Sequence, residues 1–259
     1  MTHADPRHPW QGGSAAGRFA GRRALVTGAA SGIGAAIAAR LMDEGAAVAG
    51  LDRAWDGQAE DPGLTVRLTA DVREEAAVEA AVREAVEVLG GPPDVLVNAA
   101  GIYRIRSLLE TSLAEWDDVL AINLRGTFLV AATAVRAGLG PGVIVNLSSV
   151  AAYEGSAAEP SGAYNASKAG VSSLTRQMAA EWAGRGIRVV AVAPGVIDTP
   201  MLRLMDDPEG GRAYLDAAVP LRRLGTAAEV AAIACFAASE EAAYLTGTTI
   251  VVDGGLLAE

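Results

Sequence analysis

Apolar residues along this chain fall into short continuous runs separated by longer stretches in which they recur every three or four positions. Seven runs read as strands: RALVTG (23–28), AAVAGLD (46–52), LTVRLTAD (64–71), PDVLVNAAG (93–101), GVIVNLSS (142–149), IRVVAVAPG (187–195) and TTIVVDGG (248–255). Most are apolar throughout rather than alternating, as strands covered on both faces of a parallel sheet must be. The stretches 32–44, 74–89, 112–137, 163–184 and 226–238 have helix length. In REEAAVEAAVREAVEVLG the apolar positions keep a helical period, and Gly90 follows as a C-cap. Strands alternating with helices imply right-handed βαβ units. The pattern predicts one α/β domain built on a doubly wound parallel seven-stranded sheet with helices on both faces.

Two segments depart from that rhythm. Residues 1–20 are polar and contain Gly, Pro and Ser with no apolar core, so they read as a flexible N-terminal tail. The domain then runs over 21–259. MLRLMDDPEGGRAYLDAAVPLRRL (201–224) is a long, partly helical excursion. Long ordered excursions often cover sites, so a substrate lid at about 200–224 is one reading and a surface excursion the other.

Composition narrows the partners. Of 259 residues, 51% are hydrophobic and 20% charged, enough for a packed core. The net charge of -10 repels phosphate backbones and anionic lipid, which argues against nucleic acid and membrane surfaces as partners. No stretch of about 18 apolar residues lacks Gly or charge, so a cytoplasmic protein is expected. The single cysteine, Cys235, lies in the apolar run VAAIACFAAS and reads as a buried structural thiol. Both histidines, His3 and His8, fall in the tail. A Ser-His-Asp triad, a Cys-His pair and a His-ligated zinc therefore lack their histidine, and no metal site is expected. Acid–base chemistry is left to carboxylates, tyrosine or lysine.

A glycine-rich turn links the first strand to the first helix through Gly28, Gly32 and Gly34, spaced GxxxGxG. Such glycines permit a tight turn and close approach of backbone to a phosphate, at a helix end whose free N–H groups favour a pyrophosphate. A purely structural turn is the alternative. The second strand ends at Asp52, eighteen residues after Gly34. A carboxylate there accepts hydrogen bonds from ribose hydroxyls and repels a 2′-phosphate, whereas the adjacent Arg53 would attract one. NAD is favoured, with NADP the alternative. Asp71 could meet an adenine edge or simply hold a turn, and NAAG (98–101) supplies small residues where backbone would pass a cofactor.

YNASKAG (164–170) sets Tyr164 and Lys168 on one helical face. That spacing arises often by chance. Here it opens a helix just after a strand ending in Ser148 and Ser149, at the carboxyl edge of the sheet where doubly wound folds bind ligands. Reduction of a ketone needs a proton donor and the reverse reaction a base. A phenol with a reference pKa near 10 suits that task at neutral pH only beside a positive charge.

These motifs together resemble the short-chain dehydrogenase/reductase family over residues 22 to 256. They are TGAASGIG (27–34), Asp52, DV (71–72), NAAG (98–101), IN (122–123), NLSS (146–149), YNASK (164–168), PGVIDT (194–199) and VDGG (252–255). The resemblance implies a single-domain Rossmann fold. It implies Tyr164 as catalytic acid/base, Lys168 lowering its pKa and touching the nicotinamide ribose, Ser149 orienting the carbonyl, and Asn123 supporting a relay water. It implies a cofactor site of Gly28, Ser31, Gly32, Ile33, Gly34, Asp52, Asp71, Val72, Asn98, Ala99, Gly101, Tyr164, Lys168, Pro194, Gly195, Val196 and Thr199. It also implies a homotetramer. NAAG stands where the family often has NNAG. The fifteen positions from Ser149 to Tyr164 exceed many members by about two, in AAYEGSAAEPSG with Tyr153, Glu154 and Glu159. That extension reads as a neutral loop or a reshaped pocket.

The expected function is NAD(H)-dependent interconversion of a secondary alcohol and a ketone, a small molecule, by hydride transfer. PLRRLGTAAEVA (220–231) resembles 3-oxoacyl-acyl-carrier-protein reductases, so an NADPH-dependent reductase of that type is the alternative. A non-catalytic dinucleotide sensor would have no use for the Tyr-Lys-Ser-Asn set, and a methyltransferase on a similar fold no use for the Tyr-Lys pair.

Overall fold

The computed structural model describes residues 17–55, 63–157, 159–202 and 204–258, with the side chain of Met205 left aside. The seven strands of the main sheet are β1 (Arg23–Thr27), β2 (Ala47–Asp52), β3 (Val66–Thr69), β4 (Val95–Asn98), β5 (Gly142–Leu147), β6 (Ile187–Pro194) and β9 (Thr249–Val252). All neighbours are parallel, in the order β3-β2-β1-β4-β5-β6-β9. The order reverses between β1 and β4, so a crevice opens at the carboxyl ends of those strands.

Alternate strand residues supply opposite faces. Leu25, Leu51, Leu96, Ile144 and Val189 pack with α2 (Glu75–Val88), α4 (Thr127–Arg136) and the end of α5 (Gly162–Trp182). Val26, Val48, Val97, Val145 and Val192 pack with α1 (Gly32–Asp43) and α7 (Ala227–Ala238). That two-sided cover is why the central strands are largely apolar on both faces, whereas β3 at the sheet edge exposes Arg67 and Thr69. Cys235 on α7 is fully buried, and burial pushes its thiol up to about 12, consistent with packing rather than reactivity.

The stretch 112–137 forms one helical run containing a change of winding. α3 (Leu113–Leu120) starts at a Ser112–Glu115 capping box, then Ala121–Gly126 widens into a π-helical turn before α4. The run Leu113–Arg136 is long and apolar enough to cross a bilayer, yet 67% of its most apolar window is buried within the protein. Its apolar positions serve the core.

The excursion after β6 is partly helical. A two-residue strand β7 (Ile197–Asp198) pairs with β8 (Gly225–Thr226), closing the base of a segment that carries α6 (Pro208–Ala218). Leu215 and Val219 pack with Val150 and Leu256 in a third, smaller apolar cluster. The expected tail ends earlier than residue 20. Residues 1–16 lie outside the described residues, but Phe19 is buried against α1 and α7, and Arg18 pairs with Glu44 at 2.6 Å. An aromatic anchor inside a polar stretch carries no periodic signal.

Leu96 sits fully buried at the centre of β4. Leu96→Ala is expected to cost about 2–5 kcal/mol, read from urea unfolding at neutral pH, with secondary structure retained.

Candidate active site

A cleft of about 380 Å³ runs along the carboxyl edge of the sheet. The glycine turn makes one end. Gly28 has a positive φ of 67°, and a Cβ there would stand 2.8 Å from the backbone nitrogen of Ala100. At Gly34 a Cβ would lie 2.1 Å from the Gly28 carbonyl oxygen, so α1 can pack on its own turn only with glycine there. Ser31 is the N-cap, but its hydroxyl bonds none of the helix N–H groups, and the first turn holds no acid. The helix end is thus unscreened and faces the cleft. Gly32 stands across from Thr199, whose side chain a Cβ would approach to 3.7 Å. This cradle of bare backbone fits a dinucleotide pyrophosphate.

Asp52 ends β2 beside that turn. Its carboxylate accepts from the backbone N–H of Ala30 at 3.0 Å and of Arg53 at 2.7 Å. Asp71 is bound by Arg73 at 2.7 Å, which holds its carboxyl below the usual range, and Arg73 also pairs with Asp118 at 2.6 Å. Asp52, Asp71, Val72, Ala99, Gly101, Pro194, Gly195, Val196 and Thr199 all border the cleft, as do Gly28, Ser31, Gly32, Ile33 and Gly34. Asn98 does not. Its side chain donates to Asn146 at 2.9 Å beneath the cleft floor, and Asn146 donates to Thr175 at 3.0 Å, so this buried amide ladder ties β4 to β5 and α5. The Asn98 oxygen has no partner.

At the other end, α5 carries Tyr164 and Lys168. The Lys168 Nζ lies 5.6 Å from the centre of the Tyr164 ring. It donates to the Leu147 carbonyl at 2.7 Å, and the residue is only 6% exposed. Burial lowers the lysine to about 8. Burial raises the Tyr164 phenol, and the nearby Ser149 hydroxyl opposes that rise. Ser149 itself accepts from Ala151 N–H at 3.2 Å. Ser148, the neighbouring serine, is taken up structurally. It donates to the Lys168 carbonyl at 3.0 Å and lies 2.7 Å from the Ser172 hydroxyl. Asn123 sits fully buried in the π-turn, off the cleft surface. Its amide accepts from Ile102 N–H at 2.8 Å and donates to Ile102 O and Ser167 Oγ at 3.0 Å. A Cβ on Gly101 would stand 3.2 Å from Asn123 Oδ1 and 3.6 Å from Lys168 Nζ.

Several positions emerge only in three dimensions. Thr27 Oγ1 accepts from both Ala99 and Ala100 N–H at 3.1 Å, shaping the NAAG turn. Tyr103 stands edge-on to Tyr164, ring centres 4.7 Å apart. Of the residues in the 150–160 extension, Glu154 and Glu159 border the cleft, while Tyr153 faces solvent. Met201, Leu202 and Tyr214 from the excursion border it too.

A parallel sheet with a glycine cradle at one end and a Tyr-Lys-Ser group at the other defines a dinucleotide-binding oxidoreductase site. A family model described as enoyl-(acyl carrier protein) reductase matches residues 28–257. Galactitol 2-dehydrogenase (L-tagatose-forming) of Cereibacter sphaeroides is 43% identical over 246 residues, covering 92% of this chain and 96% of that protein. A 3-oxoacyl-acyl-carrier-protein reductase of Salmonella typhimurium is 39% identical, covering 92% and 98%. The crystal structure of a short-chain type dehydrogenase/reductase from Mycobacterium marinum superposes with a TM-score of 0.85 at 32% identity, covering 93% of this chain and 97% of that one. The chain belongs to the short-chain dehydrogenase/reductase family and is an oxidoreductase of CH–OH groups that uses a nicotinamide dinucleotide.

The lysine has a cost. Its folded value of about 8 lies below the ordinary lysine value of 10.5, so between those limits the unfolded chain holds the proton and the folded one does not. Stability therefore rises with pH across that window, and the full penalty applies below pH 8. Lys168→Met is expected to stabilise the cofactor-free protein at pH 7 by up to about 3 kcal/mol, the gain fading towards pH 10.5, as read from urea unfolding at stepped pH.

Proposed function

We propose that the protein is an NAD(H)-dependent dehydrogenase that interconverts a secondary alcohol and a ketone, with Tyr164 as general acid/base. The observation that carries this reading is that Tyr164 and Ser149 line one cleft, with the buried Lys168 ammonium 5.6 Å from the Tyr164 ring. When bound, the nicotinamide takes up or gives back the hydride at the carbinol carbon. Ser149 holds the substrate oxygen beside the phenol. In oxidation the Tyr164 phenolate takes the hydroxyl proton; in reduction the phenol returns one to the carbonyl oxygen. Lys168 favours the phenolate through its charge and binds the nicotinamide ribose. Asn123 anchors the Ile102 backbone beside Lys168 and supports a water leading to its ammonium.

The glycine turn and the Ser31–Gly34 end of α1 receive the pyrophosphate, and Asp52 accepts from the adenosine ribose hydroxyls. Asp52 accepts from the backbone N–H groups of Ala30 and Arg53 rather than from the Arg53 guanidinium, and it borders the cleft, which supports NAD over NADP. The reductase relative supports the NADPH-dependent alternative, and the galactitol dehydrogenase relative supports alcohol oxidation. Residues 200–224, through Met201, Leu202 and Tyr214, serve as the substrate lid. Exposed Leu109, Leu113 and Phe128, together with Val251 on the open edge β9, support assembly into a homotetramer.

Tyr164→Phe is expected to lower turnover by about 10³-fold or more while leaving NADH affinity within about threefold, read from nicotinamide absorbance and fluorescence titration. Near-normal turnover in the variant would remove Tyr164 from the role. The wild type is expected to bind NADH at least about tenfold more tightly than NADPH, and Asp52→Ala to narrow that gap. Tighter NADPH binding would put the reductase reading ahead.

A further inference from the structure

The substrate end of the cleft has a distinct charge and hydrogen-bonding character. Beyond Tyr164 it is walled by Tyr103, Glu154, Glu159, Ser161 and Tyr214. The Tyr103 ring meets Tyr164 at 74° with ring centres 4.7 Å apart, which sets it in the wall next to the reacting centre, and Ser161 and Glu159 line the same cleft. The segment bearing Glu159 is held in place. Arg106 N–H donates to the Pro160 carbonyl at 2.7 Å, and Arg106 bridges to Ser161 as a short parallel pair. Ser161 Oγ donates to Asn165 Oδ1 at 2.8 Å, and Asn165 Nδ2 donates to the Glu154 carbonyl at 2.8 Å. The loop is thereby tied to the first turn of α5, the same turn that presents Tyr164.

Charge decides what can enter. Among the described residues, two basic side chains line the cleft, Lys168 under the phenol and Arg53 at the far end beside Asp52. Arg104 and Arg106 border a separate small hollow instead. Among the described residues, the cleft beyond Tyr164 thus carries two carboxylates and no cation to pair an anionic ligand, and burial raises the Tyr214 phenol, with both acids adding to that rise. An ionised carboxylate accepts hydrogen bonds and donates none. It is satisfied by a ligand with several hydroxyl donors, whereas an acyl chain would leave it desolvated and unpaired. Val150, Met201 and Leu256 offer apolar cover for a carbon skeleton.

We infer that the substrate is an uncharged polyhydroxy alcohol or its keto form, and that Glu159 determines this specificity by accepting hydrogen bonds from substrate hydroxyls beside the reacting centre. The inference rests on the dehydrogenase reading above and names its substrate class. The test uses the full chain with NAD and a matched panel of four- to six-carbon alditols, the corresponding aldonates, the corresponding 1-amino-1-deoxyalditols, and 2-octanol. At least one alditol is expected to exceed every aldonate, amine and 2-octanol by about tenfold or more in kcat/KM. Glu159→Gln is expected to raise KM for that alditol by about tenfold with kcat largely kept. Glu159→Lys is expected to invert the alditol-to-aldonate ratio, a change that a purely structural role would not produce. Superior turnover of an aldonate, an amine or 2-octanol overturns the polyol assignment and leaves the dehydrogenase standing. An unchanged ratio in both Glu159 variants removes the role given to Glu159. Silence across the panel and its ketones, in both directions and with NADH still bound, overturns the dehydrogenase reading itself.

Discussion

An ammonium group taken out of water is the constraint around which this molecule is arranged. Lys168 is buried with the Leu147 carbonyl at 2.7 Å, and removing such a charge from solvent is expensive unless the surroundings are fixed. They are fixed from three sides. Ser148 grips the Lys168 carbonyl and Ser172, setting the height of α5 on β5. Asn123, presented by a π-turn rather than a regular helix, clamps Ile102 and Ser167. Gly101 leaves room between that amide and the ammonium. The extra residue of winding at Ala121–Gly126 follows the pattern by which π-turns recur at functional sites. The stability given up at Lys168 and the chemistry obtained at Tyr164 are two aspects of one arrangement.

The opposite end of the cleft is built from absence of side chains. Gly28, Gly32 and Gly34 bring α1 and β1 close to the Ala99–Ala100 backbone, leaving helix N–H groups bare towards the cleft. Asp52 then has two tasks, holding the turn through Ala30 N–H and presenting negative charge where an adenosine ribose would lie. Between the two ends, the switch of strand order from β1 to β4 supplies the crevice itself.

The loop from Ser149 to Tyr164 and the excursion carrying α6 meet over the cleft through a small cluster that includes Val150, Leu215 and Leu256. Both are insertions into an otherwise regular βα alternation, and both bring polar side chains to the same wall. The sheet and its glycine turn therefore form one side of the cleft, while two loops joined by a small apolar cluster border the other.

Strand and helix placement was legible along the chain because burial on both faces demands uninterrupted apolar runs, and the five predicted helical stretches and seven sheet strands lie where that pattern puts them. The Gly28–Gly34 turn, Asp52 and the Tyr164–Lys168 spacing were legible for a similar reason: each is local, and its chemistry depends on neighbours within a turn or a strand end. The family resemblance singled out Ser149, but the physical reason lies in the packing of α5 on β5, which takes up the Ser148 hydroxyl with the Lys168 carbonyl and Ser172. Sequence could not show that Asn98 supports Asn146 beneath the cleft, that Tyr103 stands against Tyr164, or that Glu159 faces the cleft while Tyr153 faces solvent. These contacts join segments far apart in the chain, and loop conformation rather than periodicity aims the side chains. The sequence by itself determined the sheet, the helices and the elements of hydride chemistry, since these follow from local pattern. The tertiary structure decided which polar groups share the substrate wall, since that depends on how distant loops close over one another.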